Sequence, residues 1–339
     1  MAQKVKVALD VMGGDNAPGA IVAGALEAVS EKSELSVCLV GRKELIEEEL
    51  KKHEGFDSAR IEICDAPDVI TNDDAPVEAI RHKAKSSVVE ALNMVKAGDA
   101  DAFVSAGSTG AVLVGAQLIV GRIKGVQRPP LAPLIPTLNG VSLLIDCGAN
   151  VDARSSHLVQ FAKMGSIYME NILGIKNPRV AIVNVGVEEE KGNMLVKETY
   201  PLLKNCNDIN FIGSIEARDI PYGAADVIVT EAFVGNVILK LYEGVATALL
   251  KKVKEGLMST PISKLGAAMA KPALKRSLKS FSMSQYGGAP MLGLKALVVK
   301  SHGSSDANEI KNSLIQCIEF KEMNISEKIA EKISTNETV

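Results

Sequence analysis

The chain of 339 residues contains no tryptophan, and aromatic residues make up only 4% of it. A surface that stacks nucleic-acid bases needs exposed aromatic rings, so this scarcity argues against a nucleic-acid-binding protein. The net charge of −3 gives the molecule as a whole no attraction for a polyanion. We therefore expect no nucleic-acid partner.

The chain also lacks a cysteine motif: its five cysteines are scattered and form no C-x-x-C pair. This pattern predicts reduced thiols in a cytoplasmic protein and no structural metal. The N-terminal residues lead directly into a predicted strand without a signal peptide, and no uninterrupted apolar run is long enough to span a bilayer. We expect no bound cofactor.

What the chain does contain is a high aliphatic content, with hydrophobic residues making up 47% of it. A short apolar strand, a polar turn and a helix recur along most of the chain, which predicts a parallel or mixed sheet covered by helices on both faces. Arg128-Pro-Pro130 suggests that the strands over 131–136 and 142–145 form an antiparallel pair. Without a strict repeat or a long linker, we expect a single α/β domain over 1–339.

One turn of this kind lies between an apolar strand over 102–104 and an apolar helix that begins near residue 111. Its sequence, Ser105-Ala-Gly-Ser-Thr-Gly110, matches neither the P-loop nor Gly-x-Gly-x-x-Gly. Free backbone N–H groups and the helix dipole at such a turn attract an anion. The alternative is that the glycines only shape the turn and a serine only caps the helix. The candidate anion ligands are Ser105, Gly107, Ser108 and Thr109.

A second concentration of anion-binding chemistry lies at Arg81-His-Lys-Ala-Lys-Ser-Ser87, before a predicted helix over 87–97. The cluster combines three cationic side chains, an imidazole and two hydroxyls, and its serines can cap the helix that follows. The alternative is an ordinary solvated charged face. The candidate ligands are Arg81, Lys83, Ser86 and Ser87.

Further polar residues follow predicted strands, where ligands of open α/β sheets bind. A shared cleft is one interpretation, and plain turns or solvated loops are the other. Glycines in the first group would let the backbone approach a ligand closely. The candidates are Asp10, Gly13, Gly14 and Asp15; then Asp146 and Asn150; then Asn184, Glu188, Lys191 and Asn193; and finally Asn236 and His302.

The region 237–280 differs from the rest of the chain. Two predicted helices, over 237–257 and 262–280, are separated by Met258-Ser-Thr-Pro261, and basic residues greatly outnumber acidic ones between 250 and 280. Apolar residues at a tip flanked by lysines suggest contact with an anionic membrane surface or an acidic protein. A dimerising helix pair with a solvated basic face is the alternative. The candidate surface residues are Leu257, Met258, Ile262, Leu265, Lys251, Lys252, Lys254 and Lys264.

Seven short motifs follow one another along the chain. They are Asp10-Val-Met-Gly-Gly-Asp15, Arg81-x-Lys-x-x-Ser-Ser87, Ser105-Ala-Gly-Ser-Thr-Gly-Ala111, Asn184-x-Gly-x-Glu-x-x-Lys-Gly-Asn193, Phe233-Val-Gly-Asn236, Tyr286-Gly-Gly-Ala-Pro290 and His302-Gly-Ser-Ser305. In this combination and order the chain resembles the bacterial phosphate acyltransferase family, the acyl-carrier-protein:phosphate transacylases, over almost its whole length. It departs at Glu231-Ala232, where the family usually has Asp-Gly and where alanine lacks the positive-φ freedom of glycine.

The resemblance implies a Rossmann-like α/β/α sandwich with a mixed, mostly parallel sheet, similar to isopropylmalate dehydrogenases and phosphotransacetylases, with a protruding helical hairpin over 237–280. It implies a homodimer that uses the long helices. It implies transfer of a long-chain fatty acyl group from acyl carrier protein (ACP) to inorganic phosphate. The acyl phosphate would feed a membrane acyl-phosphate:glycerol-3-phosphate acyltransferase in phospholipid synthesis, and the enzyme would be cytoplasmic and peripherally bound to the inner face of the cell membrane.

For this reaction we expect direct attack of bound phosphate on the thioester, with catalysis mostly by positioning and electrostatics. The predicted phosphate ligands are the two serine-containing clusters, and His302 is a proton acceptor or phosphate ligand. Asn150, Asn193 and Asn236 are candidates for stabilising the oxyanion, and Lys191 is a further predicted catalytic residue.

Three alternatives stay open from the sequence. Cys147 could form an acyl-enzyme, which would replace direct attack by a covalent route. The chain could be an NAD-linked decarboxylating dehydrogenase of the same architecture, which would need a metal site of clustered aspartates. It could also be a peripheral membrane scaffold without catalytic activity that uses its basic hairpin to recruit partners.

Overall fold

The computed structural model describes residues 4–279, 281 and 285–334. The strands are β1 (Val5–Asp10), β2 (Leu35–Gly41), β3 (Ile61–Asp65), β4 (Ala102–Ser105), β5 (Leu134–Thr137), β6 (Gly140–Ile145), β7 (Arg179–Val183), β8 (Asn210–Ile215), β9 (Val227–Val229), β10 (Ala289–Met291) and β11 (Leu297–Lys300). The helices are α1 (Gly19–Glu31), α2 (Lys43–Leu50), α3 (Pro76–His82), α4 (Ser87–Ala97), α5 (Thr109–Gly115), α6 (Ser155–Ile172), α7 (Met194–Lys204), α8 (Ala232–Leu257), α9 (Pro261–Lys279), α10 (Ala307–Glu322) and α11 (Ile325–Ser334).

The first of two compact units comprises 1–133, 163–177 and 284–339. Its six-stranded sheet has the order β10-β11-β4-β1-β2-β3, and its described pairs are parallel except β10 with β11. Aliphatic side chains fill β1 and β4 because both strands lie inside the sheet with both faces covered. The register pairs Ser105 with Asp10 on one side and with Lys300 on the other. Three neighbouring strands therefore end side by side.

The second unit comprises 134–162 and 178–283. Its five-stranded sheet has the order β5-β6-β9-β7-β8, and its described pairs are parallel except β5 with β6. Its core contains Ile135 from β5, Leu144 from β6, Ile228 from β9 and Leu239 from α8. The predicted antiparallel pair after Arg128-Pro-Pro130 is confirmed.

The predicted α/β class with mixed, mostly parallel strands is confirmed, although the described strands form two sheets. The single-domain boundary stays a prediction. The recurring strand–turn–helix pattern does not predict the short strand β10 or the helix α7. A proline at position 201 lies inside α7 and interrupts the helical pattern of its sequence, which explains why the helix was not recognised.

The predicted hairpin break is confirmed, because α8 ends at Leu257 and α9 begins at Pro261. The predicted end of the second helix, Ser280, lies outside the described residues. Within α8 the buried residues are Ala232, Gly235 and Leu239. By length and composition α8 could cross a membrane: it contains an 18-residue stretch with a mean hydropathy of 1.4, of which 11% is buried. Lys240 and Glu243 interrupt its apolar sequence and form an ion pair of 2.8 Å.

Candidate functional site

A buried carboxylate, that of Asp10 at the end of β1, connects three of the predicted motifs. Its Oδ2 accepts a hydrogen bond of 2.6 Å from the hydroxyl of Ser105, at the end of β4. The side chain of Ser87, in the first turn of α4, also hydrogen-bonds to this carboxylate. The backbone N–H of Met12 donates to Oδ1 at 3.1 Å. The motifs that begin at residues 10, 81 and 105 therefore meet at one acid.

Two opposing electrostatic effects act on Asp10, whose side chain is almost completely buried. Burial raises the pKa of the Asp10 carboxyl because it removes water from the charged form, whereas the hydrogen bonds and the ammonium of Lys300 act to lower that pKa. Lys300 is itself buried and ends β11. It was not a predicted site residue, although a lysine at the end of a buried strand signals a partner of opposite charge.

Two backbone loops lie directly against the Asp10 carboxylate. Ser105 Oγ accepts a hydrogen bond of 2.9 Å from the N–H of Gly107, which folds the chain into a serine turn. A Cβ on Gly13 would lie 2.5 Å from Asp10 Oδ2 and 2.6 Å from the Gly107 nitrogen. Glycine at position 13 therefore lets the first loop lie against the backbone at Gly107, while the predicted close approach to a ligand stays a prediction.

The beginning of α5 follows this turn directly. Ser108 is the residue before the helix, and within the described part of the chain its side chain makes no capping hydrogen bond. Thr109 is exposed, and Gly110 packs against Pro76 at the beginning of α3, where a Cβ would lie 2.6 Å from the proline Cγ. Because the first N–H groups of a helix have no acceptor inside it, this end of α5 offers hydrogen-bond donors to an anion.

The cationic residues of the 81–87 cluster have partners or solvent around them. Lys83 Nζ donates to Asp74 Oδ2 at 2.7 Å and to the Val69 carbonyl at 2.9 Å, and its hydrogen bond holds the pKa of Asp74 below its ordinary value. Arg81 is exposed. Ser86 Oγ accepts from the N–H of Val89 at 3.4 Å and caps α4, as expected. Phosphate binding by these residues stays a prediction.

His302 is exposed in the turn after β11, next to the loop that contains Gly13 and Gly14. Its Nδ1 accepts a hydrogen bond of 3.2 Å from the N–H of Ser304 and lies 2.8 Å from the hydroxyl of the same residue. The backbone N–H of His302 donates to Glu309 Oε1 at 3.2 Å, and burial raises the pKa of Glu309. The carbonyl of Gly303 accepts from the N–H of Asp15 at 2.7 Å, which joins the two turns.

In the second unit, the buried Asp146 follows β6 directly. Its Oδ2 accepts a hydrogen bond of 2.7 Å from the side-chain amide of Asn150. The carbonyl of Asn150 in turn accepts from the N–H of Ala232 at 3.2 Å. A Cβ on Gly235 would lie 1.9 Å from the carbonyl oxygen of Asp146, so α8 packs on this loop with backbone against backbone. Asn236 is the next residue and is exposed.

The unusual Glu231-Ala232 pair is accommodated at the beginning of α8. Glu231 accepts hydrogen bonds from the N–H groups of Phe233 at 2.6 Å and Val234 at 2.9 Å, so its side chain caps the helix. Ala232 is the first residue of the helix and is buried. Glutamate thus performs a capping role, and the alanine occupies a position that needs no positive φ.

The loop from Asn184 to Asn193 has both buried and exposed members. The Asn184 amide donates to the Lys191 carbonyl at 3.1 Å, and its Oδ1 accepts from the next N–H at 2.8 Å. Asn193 caps α7 by accepting from the N–H of Val196 at 2.9 Å. Glu188 and Lys191 are exposed and form an ion pair of 2.8 Å, whose hydrogen bond lowers the pKa of Glu188 and raises that of Lys191. Catalytic roles here stay predictions.

Cys147 lies in the apolar core of the second unit, and its side chain is 2% exposed. Burial raises the pKa of its thiol well above the ordinary value. Since the thiolate is the reactive form, this environment argues against the acyl-enzyme alternative. Among the described residues, no group of three or more His, Cys, Asp or Glu side chains is arranged to hold a metal ion.

Comparison with known proteins identifies the family. A family model described as a fatty acid synthesis protein matches residues 5–328. Proteins named phosphate acyltransferase from Clostridium novyi (strain NT) and Clostridium acetobutylicum are 49% and 48% identical to this chain, over 97% and 96% of it and 98% of each relative. The chain belongs to the phosphate acyltransferase family. It is therefore an enzyme of the phosphate acyltransferase type, with phosphate as a substrate, as its motifs predicted.

Solved structures show that this family member shares its fold with phosphotransacetylases. The enzyme from Streptococcus pyogenes superimposes with a TM-score of 0.61 at 18% identity, over 93% of each chain. The EutD phosphotransacetylase from Staphylococcus aureus gives 0.60 at 16% identity, over 93% of this chain and 94% of the other. The predicted phosphotransacetylase-like architecture is confirmed.

Proposed function

We propose that this phosphate acyltransferase moves a long-chain fatty acyl group from acyl-ACP to inorganic phosphate and releases acyl phosphate and free ACP for phospholipid synthesis. The observation that carries the proposal is the turn between β4 and α5. It combines a helix N-terminus, the Ser108 hydroxyl without a capping bond and a backbone bend fixed by Ser105. The first N–H groups of the helix and the Ser108 hydroxyl are donors of the kind that a phosphate site without a metal requires.

In the proposed step, an oxygen of bound hydrogen phosphate attacks the carbonyl carbon of the thioester. The new C–O bond forms, the C–S bond breaks, and the ACP sulfur leaves as a thiolate. The phosphate proton is transferred to this thiolate, so that atoms and charge balance. Phosphate is already partly ionised near neutral pH, so positioning and electrostatic stabilisation supply most of the catalysis. The burial of Cys147 supports this direct route.

The geometry refines the roles proposed for three side chains. His302 is exposed in the turn joined to the Asp15 loop, and we therefore assign it to donate to phosphate or to pass a proton to the leaving sulfur. Asn150 uses its side-chain amide to hold Asp146. Asn236 is exposed in the first turn of α8, and we therefore favour it over Asn150 as the donor to the thioester oxyanion.

The α8–α9 hairpin supports the proposed partners. Lys251, Lys252, Lys254 and Lys264 are exposed, which suits the docking of acidic ACP. Ile262 and Leu265 near the tip are 85% and 67% exposed, which suits contact with the anionic inner face of the cell membrane. An exposed apolar stripe on α8, which includes Leu241 and Leu249, suits pairing in a homodimer. The acyl phosphate would then be released near the membrane acyltransferase that consumes it.

The deciding experiment measures free ACP thiol released from palmitoyl-ACP with and without added phosphate. We expect release to require phosphate and one acyl phosphate, trapped as a hydroxamate, to form for each thiol. Thiol release that is independent of phosphate would identify a thioesterase. No release at any phosphate concentration would also overturn the proposal.

A further inference from the structure

We infer that Asp10 is a positioning residue for the phosphate-binding turn, acting through Ser105 on the backbone at Gly107. The inference rests on the proposed function, since it assigns phosphate to the turn between β4 and α5. It concerns a residue that holds the site in shape rather than one that touches the substrate.

The direction of the hydrogen bonds carries the inference. A serine hydroxyl has one proton to donate and lone pairs that accept. Ser105 gives its proton to Asp10 Oδ2 at 2.6 Å, which leaves a lone pair for the N–H of Gly107 at 2.9 Å. Asp10 therefore decides which way the Ser105 hydroxyl faces, and that hydroxyl fixes the bend that leads into α5.

The surroundings of Asp10 argue against direct contact with phosphate. Asp10 is 1% and Ser105 0% exposed. The loops that contain Gly13 and Gly107 lie directly against the carboxylate. A Cβ on Gly107 would lie 3.1 Å from Asp10 Oδ2, and a Cβ on Gly13 would lie 2.5 Å from the same atom. A carboxylate would also repel a phosphate dianion in direct contact with it.

Other partners keep the carboxylate in one orientation. Met12 donates its backbone N–H to Oδ1, while Ser105 donates to Oδ2. In Asp10→Asn the amide oxygen is therefore held on the Met12 side, and the amide N–H2 faces Ser105. Two donors then meet, so the Ser105 hydroxyl must rotate to accept from the amide and loses the charged acceptor that fixed its direction. The substitution thus removes the group that orients Ser105 towards the N–H of Gly107 without changing the size of the side chain.

The test compares Asp10→Asn, Ser105→Ala and the double variant with the native protein. KM for phosphate, KM for palmitoyl-ACP and kcat are measured together with the rise in melting temperature that phosphate causes. We expect each single variant to raise KM for phosphate about tenfold, because the shifted turn loses about one hydrogen bond to the charged phosphate. KM for palmitoyl-ACP should stay within about twofold. The double variant should be no worse than either single one, because both substitutions break the same chain.

Ser142→Ala is the matched control, since Ser142 is a buried strand serine of the second unit that donates to the Ala225 carbonyl at 2.7 Å. It should lower the melting temperature about as much as Ser105→Ala and leave KM for phosphate unchanged. Parallel rises in both KM values, or a double variant whose effect is the product of the single effects, would overturn the inference. If Asp10→Asn does not fold, the comparison of KM for phosphate between Ser105→Ala and Ser142→Ala tests the inference.

A failure of the proposed function gives a different result. The native protein would then release no thiol in response to phosphate, whatever the variants do. Phosphate binding by the turn still has its own measurement, the phosphate-dependent rise in melting temperature. A rise in the native protein that persists in full in Ser105→Ala would overturn the inference independently of turnover.

Discussion

Gly235 is the position at which the structure makes its sharpest stability prediction. In a helix, Gly→Ala ordinarily stabilises, because alanine loses less backbone entropy on folding. At Gly235 the new Cβ would lie 1.9 Å from the carbonyl oxygen of Asp146 and 2.9 Å from its carbonyl carbon. These are backbone atoms, which cannot rotate away as a side chain can, so either α8 or the Asp146 loop must shift.

The magnitude follows from two opposing contributions. Replacing glycine by alanine in a helix gains about 1 kcal/mol. Relieving an overlap of more than an ångström in a packed region costs about 3 kcal/mol. We therefore expect Gly235→Ala to lower the free energy of unfolding by about 2 kcal/mol. Gly244→Ala on the same helix is the control, because a Cβ there meets nothing within 4 Å. It should stabilise by up to about 1 kcal/mol.

Urea unfolding followed by circular dichroism measures both variants, and the difference in midpoint at constant slope gives the change in free energy. Opposite signs for the two variants support the packing of α8 on the Asp146 loop. A Gly235→Ala variant that is as stable as Gly244→Ala would refute it. Because Gly235 directly precedes Asn236, which we favour as the oxyanion donor, Gly235→Ala should also lower kcat, whereas Gly244→Ala should not.

Three further predictions follow from single observations. Cys147→Ala should keep kcat within about threefold while costing about 1 kcal/mol of stability, because the thiol is buried and protonated; a labelled acyl-enzyme trapped on the native protein would contradict this. Glu231→Ala should destabilise by about 1 kcal/mol in urea unfolding through loss of the helix cap, and Glu231→Asp, a shorter capping residue, should not. Replacing both Ile262 and Leu265 by Glu should abolish flotation with anionic liposomes without affecting thiol release in solution. Leu138→Glu, at a leucine 61% exposed in the β5–β6 turn, is the control and should float like the native protein, whereas equal flotation of all three proteins would exclude the tip as the anchor.

Local patterns predicted those elements whose signals are themselves local. The strand–turn–helix unit around Ser105 was recognised because an apolar run stops at a Gly/Ser turn and then resumes. The hairpin break before Pro261 was recognised because proline punctuates a helical pattern. The same rule concealed α7, in which Pro201 lies within the helix and tertiary packing outweighs propensity.

The site residues show a similar limit. Asp10, Ser87 and Ser105 were all selected from the sequence as polar residues in candidate ligand-binding motifs, but nothing in their spacing indicated that two serines donate to one buried acid. Lys83 was selected for its charge, and the structure pairs it with Asp74. Lys300 was missed because its relation to Asp10 crosses three strands that lie far apart in the chain.

By itself, then, the sequence determined the α/β class, the hairpin and the order of the motifs, and through the motifs the family. These features depend on residue type and periodicity within short stretches of neighbouring positions, which the sequence displays directly. Only the tertiary structure decided which polar groups face one another. The strand order β10-β11-β4-β1-β2-β3 and its register bring Lys300, Ser105 and Asp10 side by side. That register results from packing over the whole unit, so the orientation of the Ser105 hydroxyl and the need for glycine at 13 and 235 are readable only in the folded chain.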